Sequence, residues 1–162
     1  MSSAVAELPA SAMRVQEAAR ARGLDVTVVE MAASTRTAED AAAACGCAVA
    51  QIVKSLVFRG AESGKPYLML VSGSNRLDEK GVGAALGEGL TRPDAAYVRE
   101  ITGFAIGGIP PLGHAAPMQV FIDEDLLGYD TVWAAAGTPR AVFAVDPKRL
   151  AVAAGASAMK VS

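Results

Sequence analysis

The chain has 162 residues, of which 52% are hydrophobic and 20% are charged, and its formal net charge is -2. These values fit one folded domain with its own core and exclude a disordered chain. The net negative charge disfavours extended binding along a nucleic-acid backbone, although one or two cations can still hold a terminal phosphate. Because no apolar stretch reaches about 18 residues and no signal-peptide pattern opens the chain, we expect a cytoplasmic protein with no membrane partner.

The first half of the sequence predicts helices followed by a hairpin. A helix is predicted over 10–22, with Met13, Ala18 and Ala19 facing the core, and a strand over 25–30. After a polar break at 34–37, the capping box of Thr37 and Asp40 predicts an Ala-rich helix that ends near Gly46. A helical turn over 48–51 and two paired strands over 52–59 and 67–72 complete this half.

The second half mixes short helices with strands. Helices are predicted over 77–86, 94–101 and 147–153, and strands over 118–122, 131–135 and 141–145. Strands and helices that mix without strict βαβ alternation predict an α+β (mixed α/β) domain, with a curved mixed sheet or a small barrel surrounded by short helices. We expect a single domain over 1–162, with its core over 26–158 and a flexible extension over 1–9.

The segment Gly107-Gly108-Ile109-Pro110-Pro111-Leu112-Gly113 concentrates backbone-fixing residues between two apolar stretches. Glycine leaves its amide uncovered and proline fixes φ, so the loop is expected to be rigid with accessible N–H groups. Such a loop can bind a carboxyl, ester or phosphate oxygen. Taken alone, Gly/Pro richness favours a simple tight connection.

Lys54 lies in an otherwise apolar strand. Period-two alternation places Lys54 with Ile52, Leu56 and Phe58, and sets Ser55 on the opposite face. A lysine there either extends its ammonium to an edge, pairs with a carboxylate or points into a ligand cavity. The opposite facing of Ser55 disfavours a serine–lysine dyad and favours a structural or supporting role for it.

Other polar residues carry weaker signals. His114, the only histidine, can serve as a general base but has no acid or serine at triad spacing. Asp123 is either a catalytic acid or the cap of the turn over 123–128. Cys45 and Cys47 are too close for an ordinary disulfide and too few for a zinc site, so reduced thiols are expected. The turn over 137–139 forms a second cavity wall if it faces the same cavity as the first loop.

Four motifs in this order resemble the YbaK family, also called the prolyl-tRNA synthetase-associated or insertion-like editing domain. They are the lysine strand Ile52-Val53-Lys54-Ser55-Leu56-Val57-Phe58, Thr102-Gly103-Phe104, the Gly-x-x-x-Pro loop from Gly107 to Pro111, and Ile122-Asp123. The resemblance runs from about Val26 to the C-terminal helix.

The resemblance implies a free-standing trans-editing deacylase. Such an enzyme hydrolyses the ester that links a wrong small amino acid, such as Ala or Cys, to the 3′ end of a tRNA, most often tRNA(Pro). Water is the attacking group, a hydroxyl of the terminal adenosine helps to orient it, and no metal or cofactor is required. The implied partners are the aminoacyl-tRNA acceptor end and prolyl-tRNA synthetase, with the chain as a monomer or weak homodimer.

The resemblance also implies roles for individual residues. Lys54 and Gly107 are implied as catalytic, with Lys54 holding the terminal phosphate or the acyl carbonyl. The implied substrate-binding residues are Ser55, Gly103, Gly108, Ile109, Pro110 and Pro111. Pro110 stands where relatives commonly have serine, and Ser55 where some have Asn or Thr, so both positions bear on which aminoacyl group is accepted.

Two other functions remain open from the sequence. One is a non-catalytic binding module of the same fold, which recognises a small amino-acid-like ligand or a synthetase partner. The weaker one is a thiol or metal protein built on Cys45 and Cys47.

Overall fold

A computed structural model describes residues 8–162, so most of the predicted extension over 1–9 lies outside the described residues. The helices are α1 (Ala10–Ala21), α2 (Ala38–Cys45), α3 (Glu79–Leu86), α4 (Ala95–Thr102) and α5 (Pro147–Ala154). The strands are β1 (Val29–Glu30), β2 (Ile52–Gly60), β3 (Pro66–Ser72), β4 (Leu90–Thr91), β5 (Gln119–Asp123), β6 (Val132–Ala135), β7 (Ala141–Val145) and β8 (Ala156–Met159). Short 3-10 helices occupy Val49–Gln51 and Glu124–Gly128.

Four of the five described helices begin at a capping side chain, whereas α1 begins after Pro9 without a side-chain cap. The Thr37 hydroxyl accepts a hydrogen bond from the Asp40 N–H at 3.0 Å and so starts α2, as the capping motif predicts. Asp78, Asp94 and Asp146 cap α3, α4 and α5 through their carboxylates. No described helix has the length and apolar character needed to cross a membrane.

The strands form one mixed sheet in the order β1-β7-β6-β2-β3-β5-β8, with β4 beside the end of β2. The predicted β2–β3 hairpin is confirmed: the strands are antiparallel, and Lys54 lies opposite Val71. Strand β2 also pairs in parallel with β6, as does β3 with β5. Among the described residues no pairing joins β1 to β8, so the sheet is open rather than a closed barrel.

The two faces of β2 contact different parts of the core. Val53 packs in the main apolar cluster with Leu68, while Phe58 belongs to a second cluster with Met69 and Leu56 packs against that cluster. This arrangement follows the period-two alternation of the sequence. Strand β2 is therefore covered on both faces, which makes a lysine within it unusual.

The N-terminal region differs from the sequence prediction in two respects. The predicted strand over 25–30 is reduced to Val29–Glu30 because the Gln16 side chain forms hydrogen bonds with the backbone that precedes it. Gln16 donates to the Val26 carbonyl and accepts from the Val28 N–H, both at 2.8 Å. The predicted core position of Met13 is wrong, since Met13 is 41% exposed. Helix α1 instead buries Ala12, Val15, Gln16 and Ala19.

Candidate active site

A cavity of about 420 Å³ opens beside the middle of β2. Its volume lies within the range typical of small-molecule sites. Four separate parts of the chain line it: Thr35, Arg36, Thr37, Ala38 and Ala41 around the start of α2; Ile52, Val53, Lys54, Ser55 and Leu56 of β2; Ile106, Gly107 and Ile109 of the Gly/Pro loop; and Trp133, Ala134, Ala135 and Val142 of β6 and β7.

The charged residues described along this cavity are cations. Among residues 8–162, Arg36 and Lys54 are the only charged residues that line it, and the other lining side chains are apolar or neutral. This is notable in a chain whose formal net charge is -2. Clustered charges of one sign in a cleft attract ligands of the opposite sign, so the cavity suits a small ligand with an anionic or strongly polar end.

Lys54 is half-buried, and its ammonium is fixed by a backbone carbonyl. Its Nζ donates to the Asn75 carbonyl at 2.5 Å. Burial lowers the pKa of Lys54 from its ordinary value, while the negative charges of Glu39 and Asp123 act in the opposite direction. Of the alternatives that the sequence left open, the structure shows Lys54 in the lining of a cavity. The backbone carbonyl that accepts from its ammonium is a partner that the sequence did not anticipate.

Asp123 supports this anchor from a buried position. It is 1% exposed, and its Oδ2 accepts from the Ser72 N–H at 3.0 Å and from the Asn75 amide at 2.9 Å. Its Oδ1 accepts from the Asp125 N–H at 3.0 Å, which confirms the predicted cap of the turn over 123–128. Asp123 thus fixes the turn that presents the Asn75 carbonyl to Lys54.

Gly107 lines the cavity in a conformation that strongly favours glycine. Its φ is +102°, and a Cβ added there would lie 3.1 Å from the Arg36 Nε. Ile109 is buried and lines the cavity with it. The structure thus brings together Lys54, Ser55, Gly107 and Ile109 from the predicted site.

Gly108 faces away from the cavity and joins the Gly/Pro loop to the turn over 137–139. Its carbonyl accepts from the Gly137 N–H at 2.7 Å, and a Cβ on Gly108 would lie 2.7 Å from the Thr138 nitrogen. The second turn is therefore a support behind the first loop. The β6–β7 strands beside it, rather than the turn itself, line the cavity.

The remaining predicted substrate-binding residues do not line the cavity. Pro110 and Pro111 are buried, and the Pro110 carbonyl accepts from the His114 Nε2 at 2.7 Å. Burial lowers the pKa of His114 from its ordinary value, so the neutral ring serves to hold the loop. Gly103 ends α4 with φ +80°, and its carbonyl accepts from the Arg14 guanidinium at 2.9 Å.

Ser55 lines the cavity with an unsatisfied hydroxyl. Its Oγ is buried and has no hydrogen-bond partner among the described residues. The serine–lysine dyad that the sequence disfavours is thus not formed with Lys54. A buried hydroxyl without a partner carries an energetic cost for the fold.

The two cysteines lie outside this cavity. Burial, with a smaller contribution from Cys47, raises the pKa of Cys45 to about 11, and burial also raises the pKa of Cys47. Both thiols therefore stay protonated at neutral pH and are poor nucleophiles. Within residues 8–162 no group of three His, Cys, Asp or Glu side chains is placed to hold a metal ion.

The sequence interpretation missed three residues of the site. Arg36 lies in the polar break before α2, Trp133 lies in β6, and Asn75 acts through its carbonyl. A cation immediately before a helix cap was the one available signal for Arg36. Nothing in the local pattern marks a backbone carbonyl or a single tryptophan as part of a site.

The fold and the cavity define a single-domain mixed α/β protein with a small cationic pocket beside its central hairpin. The model of the aminoacyl-tRNA editing domain matches residues 32–152, and the chain belongs to that family. The family membership implied by the sequence motifs is therefore confirmed.

Three relatives show how far the similarity extends. The chain is 53% identical to a solved structure described as a candidate trans-editing enzyme for prolyl tRNA synthetase, with a TM-score of 0.91 over 96% of this chain and 99% of that one. It is 30% identical to the solved hypothetical protein APE2540, with a TM-score of 0.84 over 91% and 98% of the two chains. It is also 33% identical over 123 residues to the uncharacterized protein YwhH of Bacillus subtilis (strain 168), which covers 76% of this chain and 78% of that protein.

Proposed function

We propose that the protein is a trans-editing deacylase that hydrolyses the ester of a mischarged small amino acid on tRNA. The observation that carries this proposal is that Lys54 and the Gly107 backbone line one cavity, whose charged lining among the described residues is cationic. Membership of the aminoacyl-tRNA editing domain family supports an aminoacyl-tRNA substrate.

The reaction needs little from the protein beyond positioning and charge. Water attacks the acyl carbon, the carbonyl becomes an oxyanion, and the carbon–oxygen bond to the ribose then breaks. The ribose oxygen leaves with a proton as a hydroxyl, and the amino acid leaves as a free acid. An aminoacyl ester is already activated, so stabilising the oxyanion and orienting water are sufficient for catalysis.

The cavity offers groups for each of these tasks. We assign the oxyanion to the Lys54 ammonium and the backbone at Gly107, which line the same cavity. The neighbouring hydroxyl of the terminal ribose orients the attacking water, so no side chain is needed as nucleophile. Lys54 is anchored by the Asn75 carbonyl, which reduces its motion before the oxyanion forms.

The apolar part of the cavity favours a small amino-acid side chain. Bulky side chains such as Ile52, Ile109 and Trp133 narrow its apolar lining, which also includes Ala38, Ala41, Ala134 and Ala135. We infer that Ala, Cys or a residue of similar size is accepted. A single methylene in such a pocket changes binding by about 1–3 kcal/mol, so discrimination among small residues is modest.

The proposal extends to the partners of the reaction. The relative described as a candidate trans-editing enzyme for prolyl tRNA synthetase supports tRNA(Pro) as the substrate tRNA and prolyl-tRNA synthetase as a partner. We infer that the protein recognises the acceptor end, acts in the cytoplasm and works as a monomer or weak homodimer.

A panel of mischarged tRNAs tests the proposed function. tRNA(Pro) charged with Ala, Cys, Ser or Pro is incubated with the wild-type chain, with Lys54→Ala and with Lys80→Ala, which removes an exposed lysine outside the cavity. We expect wild type and Lys80→Ala to release a small non-cognate amino acid, and Lys54→Ala to be slower by at least about 100-fold, the scale of losing one oxyanion donor. Ligand-induced stabilisation without turnover by the wild-type chain would instead indicate a binding module.

A further inference from the structure

Arg36 is the second cation of the cavity and has no role in the catalytic assignment above. It lies on a segment held firmly against the turn over 137–140. The Thr35 N–H donates to the Pro139 carbonyl at 2.6 Å, and the Thr35 hydroxyl donates to the same carbonyl at 3.0 Å. On the other side of Arg36, the Thr37 hydroxyl caps α2. Arg36 therefore lies between two residues, Thr35 and Thr37, whose positions are fixed by hydrogen bonds.

The guanidinium of Arg36 differs from the ammonium of Lys54 in its surroundings. Lys54 donates to the Asn75 carbonyl and lies in the field of Glu39 and Asp123. Across residues 8–162 no carboxylate lies within ion-pair distance of Arg36, and its side chain makes no hydrogen bond there. Arg36 is exposed to solvent where it lines the cavity.

Gly107 provides the room for this arginine. A Cβ at position 107 would lie 3.1 Å from the Arg36 Nε and 3.3 Å from its Cγ, so the arginine side chain runs directly across the bare loop backbone. The loop thus places a cation and uncovered backbone side by side. Arginine presents several N–H donors in a plane, a geometry that matches a phosphate group better than a single carbonyl.

We propose that Arg36 is a phosphate-binding residue that holds the phosphate on the 5′ side of the terminal adenosine, leaving Lys54 to act on the acyl carbonyl. The inference rests on the proposed function, because that function identifies the nucleotide. The division of roles follows from the surroundings of the two cations. The anchored Lys54 has carboxylates nearby that oppose a phosphate, whereas Arg36 is exposed at the entrance.

Ligand binding without turnover tests this role directly. Adenosine 5′-monophosphate and adenosine are titrated into wild type, Arg36→Gln, Arg36→Lys and Arg20→Gln, and affinity is followed by NMR chemical shifts. Arg20 is an exposed arginine of α1 that does not line the cavity, so its variant controls for the loss of one positive charge. We expect wild type and Arg20→Gln to bind the monophosphate about 10-fold more tightly than adenosine, as one charge-assisted contact allows.

The arginine variants are expected to separate phosphate recognition from general charge. Arg36→Gln should bind the two ligands equally, and Arg36→Lys should keep part of the preference. A preference for the monophosphate that survives in Arg36→Gln would overturn the proposal, as would its absence from wild type.

A second measurement uses tRNA. For a mischarged substrate, Arg36→Gln should raise KM about 10-fold with little change in kcat, and should reduce the slope of log affinity against log salt by about one. A fall in kcat with unchanged KM would contradict the assignment. If no aminoacyl-tRNA is hydrolysed at all, the proposed function fails, while the comparison of monophosphate with adenosine still decides the role of Arg36.

Discussion

At the scale of the residue, Lys54 combines an unfavourable environment with a central position in the site. Burial lowers its pKa below the ordinary value of 10.5, although Glu39 and Asp123 oppose the shift. The charged form is thus less favoured in the folded chain than in the unfolded one. The lysine therefore imposes a cost on folding, as charged groups placed in binding or catalytic cavities often do.

This environment predicts how stability changes with pH. Between the folded pKa and 10.5 the unfolded chain holds more protons on Lys54, so this residue makes the free energy of unfolding rise with pH in that window. Lys54→Met removes the contribution. The difference in free energy of unfolding, wild type minus Lys54→Met, should increase as pH rises towards 10.5 and stay flat at neutral pH.

Urea unfolding at several pH values between 7 and about 10 measures this difference. The change is damped by solvent because the cavity leaves the lysine partly exposed. Lys80→Met, on the outer surface of α3, controls for the loss of a lysine. A difference for Lys54→Met that is independent of pH, or that falls as pH rises, would contradict the burial argument.

At the scale of the element, the end of β3 and the end of β5 are joined by the carboxylate of Asp123. Oδ2 accepts from the Ser72 N–H and the Asn75 amide, while Oδ1 accepts from the Asp125 N–H. The turn after β3 therefore depends on this strand end for its shape. Because the Asn75 carbonyl accepts from Lys54, we expect Asp123 to act on the site as a positioning residue.

Asp123→Asn tests this coupling between elements. Whichever way the new amide is oriented, at least one of the existing donors loses its acceptor, which should destabilise the fold by about 1–3 kcal/mol. Displacement of Asn75 should lower kcat about 10-fold with KM little changed. Removing the negative charge should also lower the pKa of Lys54 further, because Asp123 now raises it.

The measurements are urea unfolding, the split between kcat and KM, and the alkaline limb of the pH–rate profile. We expect that limb to move to lower pH in Asp123→Asn. The exposed Asp125 bonds the same Asn75 amide at 2.7 Å, so Asp125→Asn is a matched control with a smaller effect on stability. An unchanged pH profile with reduced stability would leave Asp123 as a structural residue only.

Local patterns predicted elements well where one signal dominated. The hairpin of β2 and β3, the strand β7 and the helices capped by Thr37 and Asp94 all lie close to the predicted bounds. Strands β4 and β8 were missed because they are short and built largely from small or polar residues that carry no strand pattern. The predicted strand that contains β1 was too long, because the Gln16 side chain forms hydrogen bonds with the backbone of Val26 and Val28, just before β1.

At the scale of the whole molecule, the cavity exists only when distant segments meet. The parallel pairings of β2 with β6 and of β3 with β5 bring Trp133 beside Ile52 and Asp123 near the turn after β3. Such pairings depend on tertiary packing and leave no short-range signal in the sequence. The motifs therefore singled out Lys54 and Gly107, which both line the cavity, whereas the places of Arg36 and Trp133 in its lining needed the structure.

The single tryptophan makes this assembly measurable. Trp133 is the only tryptophan of the chain and lines the cavity, so its fluorescence reports both the integrity of the site and its occupation. Since the lining comes from residues 35 to 142, we expect the fluorescence and far-UV circular dichroism unfolding curves to coincide.

Ligand binding should then stabilise the whole chain rather than one loop. Adenosine 5′-monophosphate at 100 times its Kd should raise the free energy of unfolding by about 2.7 kcal/mol and shift both curves together. In Trp133→Phe the shift seen by circular dichroism should persist while the fluorescence signal is lost. Ligand that changes the tryptophan signal without moving the unfolding midpoint would show binding that does not depend on the folded site. Separate midpoints for the two probes would show that the cavity opens before the sheet unfolds.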